Sequence, residues 1–297
     1  MRKKVGMEMR ANGKINLYLD VLSDGASGFH EIKSIMQSVS LCDRVTVSAV
    51  REQSKNILLS CNLPYIPCDA RNIAYKAADL FLTESAINAE VRIRLQKRIP
   101  VAGGMAGGSA DGAAVLRGLN KLFGEPLTAE KLSAVAAKLG SDIPFCLWGK
   151  TAICTGRGEI LEPIPCRAKL LLLIVPSSES VSTPWAYAEL DKRFGDFGGR
   201  KAENAPRFDA LCTALAADDT AGIAENMYNI FEEAILPQRP LAQRAKELLL
   251  AHGAIGAMMS GSGPTVFGIF PDMEARKSAE AALKKEGYSP KKAETIL

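Results

Sequence analysis

Apolar and polar residues alternate strictly through Ile15, Leu17, Leu19 and Val21, through Val45, Val47 and Ala49, and again through Val91, Ile93 and Leu95. A period of two predicts three half-buried strands, with a helix over about 72–85 before the third. On the first strand Lys14 and Asn16 fall on the face opposite Ile15 and Leu17, a placement that fits a solvated face as well as a site. After a glycine-rich run at 102–108 the period lengthens, and 109–123 reads as a helix through Ala113, Leu116, Leu119, Asn120, Leu122 and Phe123. Thr128 caps a second helix that runs to Leu139, where Gly140 stops it. Residues 151–160 and 170–175 predict strands, the latter apolar enough to be buried. Three amphipathic helices follow at about 206–216, 221–235 and 241–252, with His252 a helix-terminal residue before Gly253. A strand, the turn Ser260-Gly-Ser-Gly-Pro264, another strand and a helix over 272–286 complete the chain. The polar stretch 193–206 reads as a mobile loop, and 160–166 as the junction between two domains. Sheet first and mixed helix and sheet afterwards is an α+β pattern.

Composition narrows the class. A chain of 297 residues, 47% apolar and 24% charged, holds about two globular domains and is neither disordered, collagenous nor coiled coil. A net charge of +4 suits an anionic small substrate, while 6% aromatics without a Lys/Arg-rich block argue against a nucleic-acid partner. Seven scattered cysteines with no C-x-x-C pair, beside two histidines, do not make a zinc site. Met-Arg-Lys-Lys passes directly into Val5, Met7 and Met9, with neither an apolar run nor a small-residue cleavage site, so a cytoplasmic protein with free thiols is expected. The longest charge-free stretch, 253–271, is interrupted by five glycines, two serines and Pro264, and reads as loop and strand rather than a membrane span.

The strongest chemical signal is Pro100-Val101-Ala102-Gly103-Gly104-Met105-Ala106-Gly107-Gly108-Ser109-Ala110, which opens a helix. Glycines let backbone N–H groups approach a ligand, and a helix N-terminus attracts an anion, so a nucleotide phosphate is the natural guest. Close packing of the loop is the alternative. Neither standard template fits: Met105 and Ala106 break G-x-G-x-x-G, and Ser109 stands where a P-loop needs lysine. A charge must then come from elsewhere, with Lys14 and Asp142 the candidates. Asp142, in Gly140-Ser-Asp-Ile-Pro-Phe145, stands where a helix ends and an extended segment is expected to begin, and reads either as a turn residue or as a catalytic base. His30 fits a base, a metal ligand or a ring-stacking partner. Neither Ser109 nor Ser262 satisfies G-x-S-x-G, which leaves a serine-dependent hydrolase as a minor alternative.

Together these pieces resemble the GHMP small-molecule kinases. Residues Pro100 to Asp111 are similar to that family's phosphate-binding motif, and Ser260 to Pro264 to its third motif. Ala11-Asn-Gly-Lys-Ile-Asn-Leu17, Gly28-Phe-His-Glu-Ile32, Lys97-Arg-Ile-Pro100, Gly140 to Phe145 and Ser182-Thr-Pro184 extend the resemblance, in order, over nearly the whole chain. They resemble the branch acting on a cytidine-diphosphate-linked methylerythritol. The resemblance implies ATP-dependent phosphorylation of that substrate's 2-hydroxyl in non-mevalonate isoprenoid biosynthesis. It makes Asp142 the base and Lys14 its neighbouring cation. Asn16, Phe29, His30 and Tyr187 would bind the substrate, Tyr187 by stacking on its base. Asn72 and Lys97 would lie near adenine, and Pro100 to Ala110 would wrap the ATP phosphates. Mg2+ would arrive as the ATP complex, with its protein ligands left open. The implied fold is an N-terminal ATP-binding domain (1–162) like ribosomal protein S5 domain 2, with a left-handed βαβ crossover, and a ferredoxin-like C-terminal domain (163–297). A monomer or homodimer acting on a small molecule, off any membrane, is expected. The chain departs from the family pattern at Met105-Ala106, at Ala110 where a second serine is common, and at Phe29 where tyrosine is usual. Another kinase of this family, or a non-catalytic nucleotide or RNA binder, are the remaining alternatives.

Overall fold

A computed structural model describes residues 5–24, 29–195, 197 and 200–297. Gly28 of the expected Gly28-to-Ile32 motif lies outside the described residues, as do the first four residues and Asp196, Gly198 and Gly199 of the expected loop. Helices and two sheets fall into two compact units, and the long strands β1 (Val5–Asp24) and β2 (His30–Arg51) each run from one unit into the other.

The first unit contains the chain up to Gly13, Cys42–Val101 and Ala106–Gly149. Here β2 pairs antiparallel with β4 (Ala89–Gln96), which pairs parallel with β3 (Asn56–Cys61). Helix α1 (Ile73–Glu84) joins β3 to β4, so the three form a βαβ unit. Asn72 caps α1 by accepting from Ala74 N at 2.9 Å, and Thr128 caps α3 (Ala129–Leu139) by accepting from Lys131 N. Between them lies α2 (Gly107–Leu122), and after them α4 (Asp142–Trp148). A Cβ at Gly112 would sit 2.8 Å from Ile73 Cγ2, so the glycine is what lets α1 and α2 pack this closely. Phe81, Val91, Ile93, Leu116, Leu119, Ile143 and Phe145 fill the core beneath them.

The second unit contains Lys14–Leu41, Ala102–Met105 and Lys150–Leu297. Strand β2 pairs here with β5 (Thr151–Thr155), which turns back into β6 (Ile160–Pro163). The single strand expected over 151–160 is therefore a hairpin, broken at Gly156 and Gly158, whose φ values of +69° and +110° suit a reversal rather than a strand. A second, antiparallel sheet has the order β11-β7-β10-β9, formed by Lys291–Glu294, Leu171–Val175, Val266–Phe270 and Gly256–Met259. Its core includes Leu173, Val175, Phe231, Leu249, Met259 and Phe270, with α9 (Pro240–Ala251) and α10 (Met273–Lys285) contributing Leu248, Ala279 and Leu283.

Two helical expectations need correction. The expected helix over 221–235 is interrupted: α7 (Thr220–Asn226) and α8 (Phe231–Ile235) flank a two-residue strand, β8 (Tyr228–Asn229), which pairs parallel with β1 at Tyr18 and Leu19. Asn229 makes the break. Its amide donates to the carbonyls of Met259 (2.7 Å) and Gly261 (2.8 Å), and its Oδ1 accepts from Phe231 N, bonds that a helical interior would not permit. The expected loop over 193–206 is in part helix, since α5 (Thr183–Phe194) is followed by α6 (Arg200–Ala217), which carries Pro206 inside it. Asn204 on its first turns donates to Asp20 Oδ2 at 2.9 Å, a tertiary anchor that local sequence does not reveal.

Candidate active site

In the second unit, β1 places Lys14 and Asn16 indoors, at 4% and 1% exposure, which overturns the solvated-face reading. An ammonium is tolerated at such burial only with partners, and Lys14 Nζ donates to Asn16 Oδ1 at 2.6 Å. The Lys14 backbone N–H donates to the Met105 carbonyl at 3.2 Å, which ties the strand to the glycine loop. Met105 is itself buried, so the side chain standing where the family has leucine serves as an apolar anchor. The second glycine element closes the β9–β10 hairpin, as a plain turn would, and also meets the first: Ser260 Oγ donates to the Gly104 carbonyl at 3.0 Å. At Gly104, with φ +74°, a Cβ would fall 2.0 Å from the Ser260 carbonyl oxygen, so only glycine permits this backbone contact. A Cβ at Gly261 would lie 3.3 Å from Lys14 Nζ, which places the cation against the second glycine element, while the Lys14 backbone N–H holds the first.

The same unit brings His30 and Tyr187 together. Their rings stack at 4.6 Å between centroids with 25° between planes, and His30 Nε2 lies 2.7 Å from Asp191 Oδ1 on α5. Ser182 caps α5 by accepting from Trp185 N, which orients Tyr187 and Asp191 along the helix face toward His30. Phe197 and Phe231 approach edge-on, one against each ring of the stack. Phe29, in contrast, is 55% exposed, with the Arg157 guanidinium over its ring at 5.1 Å.

In the first unit, α2 opens without a side-chain cap, at Ala106 in the left-handed region (φ +54°). Helix N-terminal N–H groups have no partner within the helix, so this end is suited to an anion. Gly107, Gly108, Ser109 and Ala110 form its first turn, and Ala110 is buried where the family commonly has serine. Asn72 uses its amide for local structure, capping α1 and donating to the Pro67 carbonyl at 2.8 Å. Pro100 and Val101 precede the loop, and Ala102 and Gly103 belong with Gly104 and Met105 to the second unit.

Lys97 is held inside, its side chain 5% exposed. Its ammonium donates to Asp43 Oδ2, to Asp111 Oδ2 (2.5 Å) and to the Gly107 carbonyl (3.2 Å), which clamps the end of β4 to the start of α2. Asp43 Oδ1 also accepts from the Arg98 and Ile99 N–H groups. Burial pushes the Asp111 carboxyl up; Lys97 opposes the shift and Asp43 adds to it, leaving the pKa at about 7. For Lys97 burial works against the charge, but the two carboxylates outweigh it and its pKa is raised.

Asp142 is the first residue of α4, half-buried, with Ser141 before it and Ile143, Pro144 and Phe145 buried after it. The extended segment expected there is helix: proline is tolerated in a first turn, where its missing N–H costs nothing. A carboxylate at that end is favoured by the helix dipole. Among the described residues no group of three or more His, Cys, Asp or Glu side chains is placed to hold a metal ion. No helix among them is long and apolar enough to cross a membrane.

Three residues escaped the sequence reading. Ser34, buried on β2, accepts from Asn16; Asp191 holds His30; and Asp43 joins Lys97 and Asp111. Their partner Asp111, inside the motif Pro100 to Asp111 but given no role by it, carried a local signal, a carboxylate among the small apolar residues of a buried helix face.

Comparison with known proteins places these features. The family model described as GHMP kinases N terminal domain matches residues 72–150, and that described as GHMP kinases C terminal matches 211–289. A protein of Synechococcus sp. (strain JA-2-3B'a(2-13)) named 4-diphosphocytidyl-2-C-methyl-D-erythritol kinase is 43% identical over 280 residues, 93% of this chain and 89% of that one. A protein of the same name from Gloeobacter violaceus (strain ATCC 29082 / PCC 7421) is 41% identical, over 94% of this chain and 91% of its own. A crystal structure titled 4-(cytidine 5'-diphospho)-2C-methyl-D-erythritol kinase superimposes with a TM-score of 0.79 at 29% identity, over 97% of this chain and 99% of that one.

Proposed function

The chain belongs to the GHMP kinases, and from that premise we propose that it transfers the γ-phosphoryl group of ATP to the 2-hydroxyl of 4-diphosphocytidyl-2-C-methyl-D-erythritol, in the non-mevalonate route to isoprenoids. Likeness to the Synechococcus kinase along nearly the whole chain is the observation that carries this reading. The geometry supports it. Phosphoryl transfer needs an aligned nucleophile and neutralised phosphate charge more than covalent chemistry. The uncapped end of α2 and the glycine elements offer backbone donors to phosphates, and Lys14 offers an ammonium beside Gly261. Asp142 takes the proton of the substrate hydroxyl, and Asn16 orients the acceptor together with Lys14. Lys97 acts on the nucleotide through Gly107 and the loop it braces, because its ammonium is committed to two carboxylates. Mg2+ enters as the ATP complex. In sequence, 1–162 serve the nucleotide and 163–297 form the C-terminal part, and the protein works in the cytoplasm on a small molecule.

The test is ADP release with ATP and Mg2+, offering 4-diphosphocytidyl-2-C-methyl-D-erythritol beside homoserine, mevalonate and galactose. Selective turnover of the first is expected; turnover of another, or of none by folded protein, overturns the reading.

His30 and Tyr187 give a narrower prediction. Their stack leaves the cytidine of the substrate either to slide against an outer ring face or to replace one partner, and Phe29 stands exposed at the neighbouring position to cover it. His30→Ala and Tyr187→Ala should each raise KM for the cytidine-bearing substrate roughly 10-fold, the effect of about 1.4 kcal/mol, with KM for ATP unchanged. A shift confined to KM for ATP would remove both residues from that role.

A further inference from the structure

Asn16 has an amide with two chemically different ends, and only one orientation suits a lysine. Its Oδ1 faces Lys14 Nζ at 2.6 Å, and its Nδ2 faces Ser34 Oγ at 2.8 Å. What selects this orientation is the next bond in the chain. Ser34 Oγ donates its single proton to the Tyr18 carbonyl at 2.6 Å, so toward Asn16 it can only accept. A flipped amide would set an acceptor against that acceptor and an NH2 against an ammonium. Asn16, Ser34 and Tyr18 are all buried, so water does not offer either group an alternative partner.

We propose that Ser34 is a positioning residue for the reaction: through Asn16 it fixes the place of the Lys14 ammonium, while touching neither substrate nor nucleotide itself. The inference rests on the reading of Lys14 given above. Its architecture suits the task, since Tyr18, Asn16 and Lys14 lie on β1 and Ser34 on β2, where its partner residue Cys154 pins the strand from the β5 side. The relay thus refers a flexible four-carbon side chain to a backbone carbonyl within the sheet. Without the Ser34 hydroxyl, the Asn16 amide is oriented by the ammonium alone and loses its anchor to the sheet, so the acceptor it offers Lys14 is no longer fixed in place.

A double-mutant cycle on the full chain tests this, with 4-diphosphocytidyl-2-C-methyl-D-erythritol and ATP as substrates. Ser34→Ala, which removes one oxygen from a packed position, should lower kcat by roughly 10-fold, as loss of one buried neutral hydrogen bond does, with KM for ATP within a factor of about two. Asn16→Ala should lower kcat at least as much, and the double variant should be no worse than Asn16→Ala alone, because Ser34 acts only through Asn16. Additive losses, or an unchanged kcat in Ser34→Ala, overturn the proposal. Lys14→Met separates the relay from the reading beneath it: unchanged turnover there overturns the assignment of Lys14, whereas a large loss there beside a normal Ser34→Ala overturns the relay alone. Hydrogen exchange at the Asn16 side-chain amide, followed by NMR with asparagine labelled in nitrogen, reads the relay without turnover. Slow exchange should become fast in Ser34→Ala, and slow exchange in both proteins overturns the relay whatever substrate the enzyme takes.

Discussion

Asp142→Asn lowers kcat by roughly 10²-fold or more while leaving KM for ATP close to its original value, the loss expected when a positioned base is removed. The substitution is nearly isosteric, and apolar burial holds the local structure. Ile143, Pro144 and Phe145 are buried immediately after it and anchor α4, and the Gly149 N–H donates to the Phe145 carbonyl at 2.7 Å at the other end of the helix. The lost interaction of a carboxylate with the helix dipole costs about 0.3–1 kcal/mol, too little to unfold the protein. A fall in kcat therefore reports chemistry. Steady-state kinetics checked against the circular dichroism of the variant decides the matter: a folded Asp142→Asn enzyme with near-normal turnover takes Asp142 out of the role of base. The comparison with Ser34→Ala is informative, because a base acts on the proton itself and a positioning residue only on the alignment of its neighbour. The larger loss belongs to Asp142.

Local pattern made much of this fold legible, wherever one residue type is demanded by its own neighbours in sequence. Caps at Thr128 and Gly140, the helix end at His252 and the strand alternation around Ile15 and Val91 are of that kind. The candidate site was legible to the same depth. The glycine run announced a backbone that must approach something closely, and Gly104 against Ser260 shows how closely. What local pattern cannot carry is the partner. Lys14 and Asn16 alternate with apolar residues in the same way whether their face meets water or the interior, and only distant segments, those carrying Ser34 and Gly261, meet these side chains and make the face interior. Asn229 looks like a helical residue until its amide finds two carbonyls some 30 positions later in the chain,. Asp43 is 54 residues from Lys97, and no local signal joins them. These misses are bonds between residues distant in sequence, whose energy overrides a local preference worth less than about 1 kcal/mol, whereas the turn at Gly156 and Gly158 and the helix opening at Asp142 were misreadings of local signals.

The buried Asp43–Lys97–Asp111 cluster leads to the second large effect, on stability, and its dependence on pH. Lys97→Met removes the cation and leaves two buried carboxylates facing the same space, so a loss of about 3–5 kcal/mol in unfolding free energy is expected at neutral pH. The loss should be smaller at pH 5 than at pH 8, because a proton taken up by Asp111 relieves the repulsion that the ammonium otherwise offsets. In the unaltered protein the same carboxyl already sits at about 7, raised from its ordinary 3.8 by burial and by Asp43 against the pull of Lys97. Between those values the folded chain holds a proton that the unfolded chain has released. The stability this group contributes is therefore complete below about pH 4 and is lost as pH rises through about 7, with a slope of at most about 1.4 kcal/mol per pH unit. Asp111→Asn, which keeps an oxygen for the ammonium and carries no titrating proton, should lack that slope. Urea unfolding of both proteins at pH 5 and pH 8 measures it directly. The difference in stability between them should move in favour of Asp111→Asn as pH rises, and a difference that stays constant would mean that Asp111 is ionised throughout, with Lys97 alone sufficient to hold the charge.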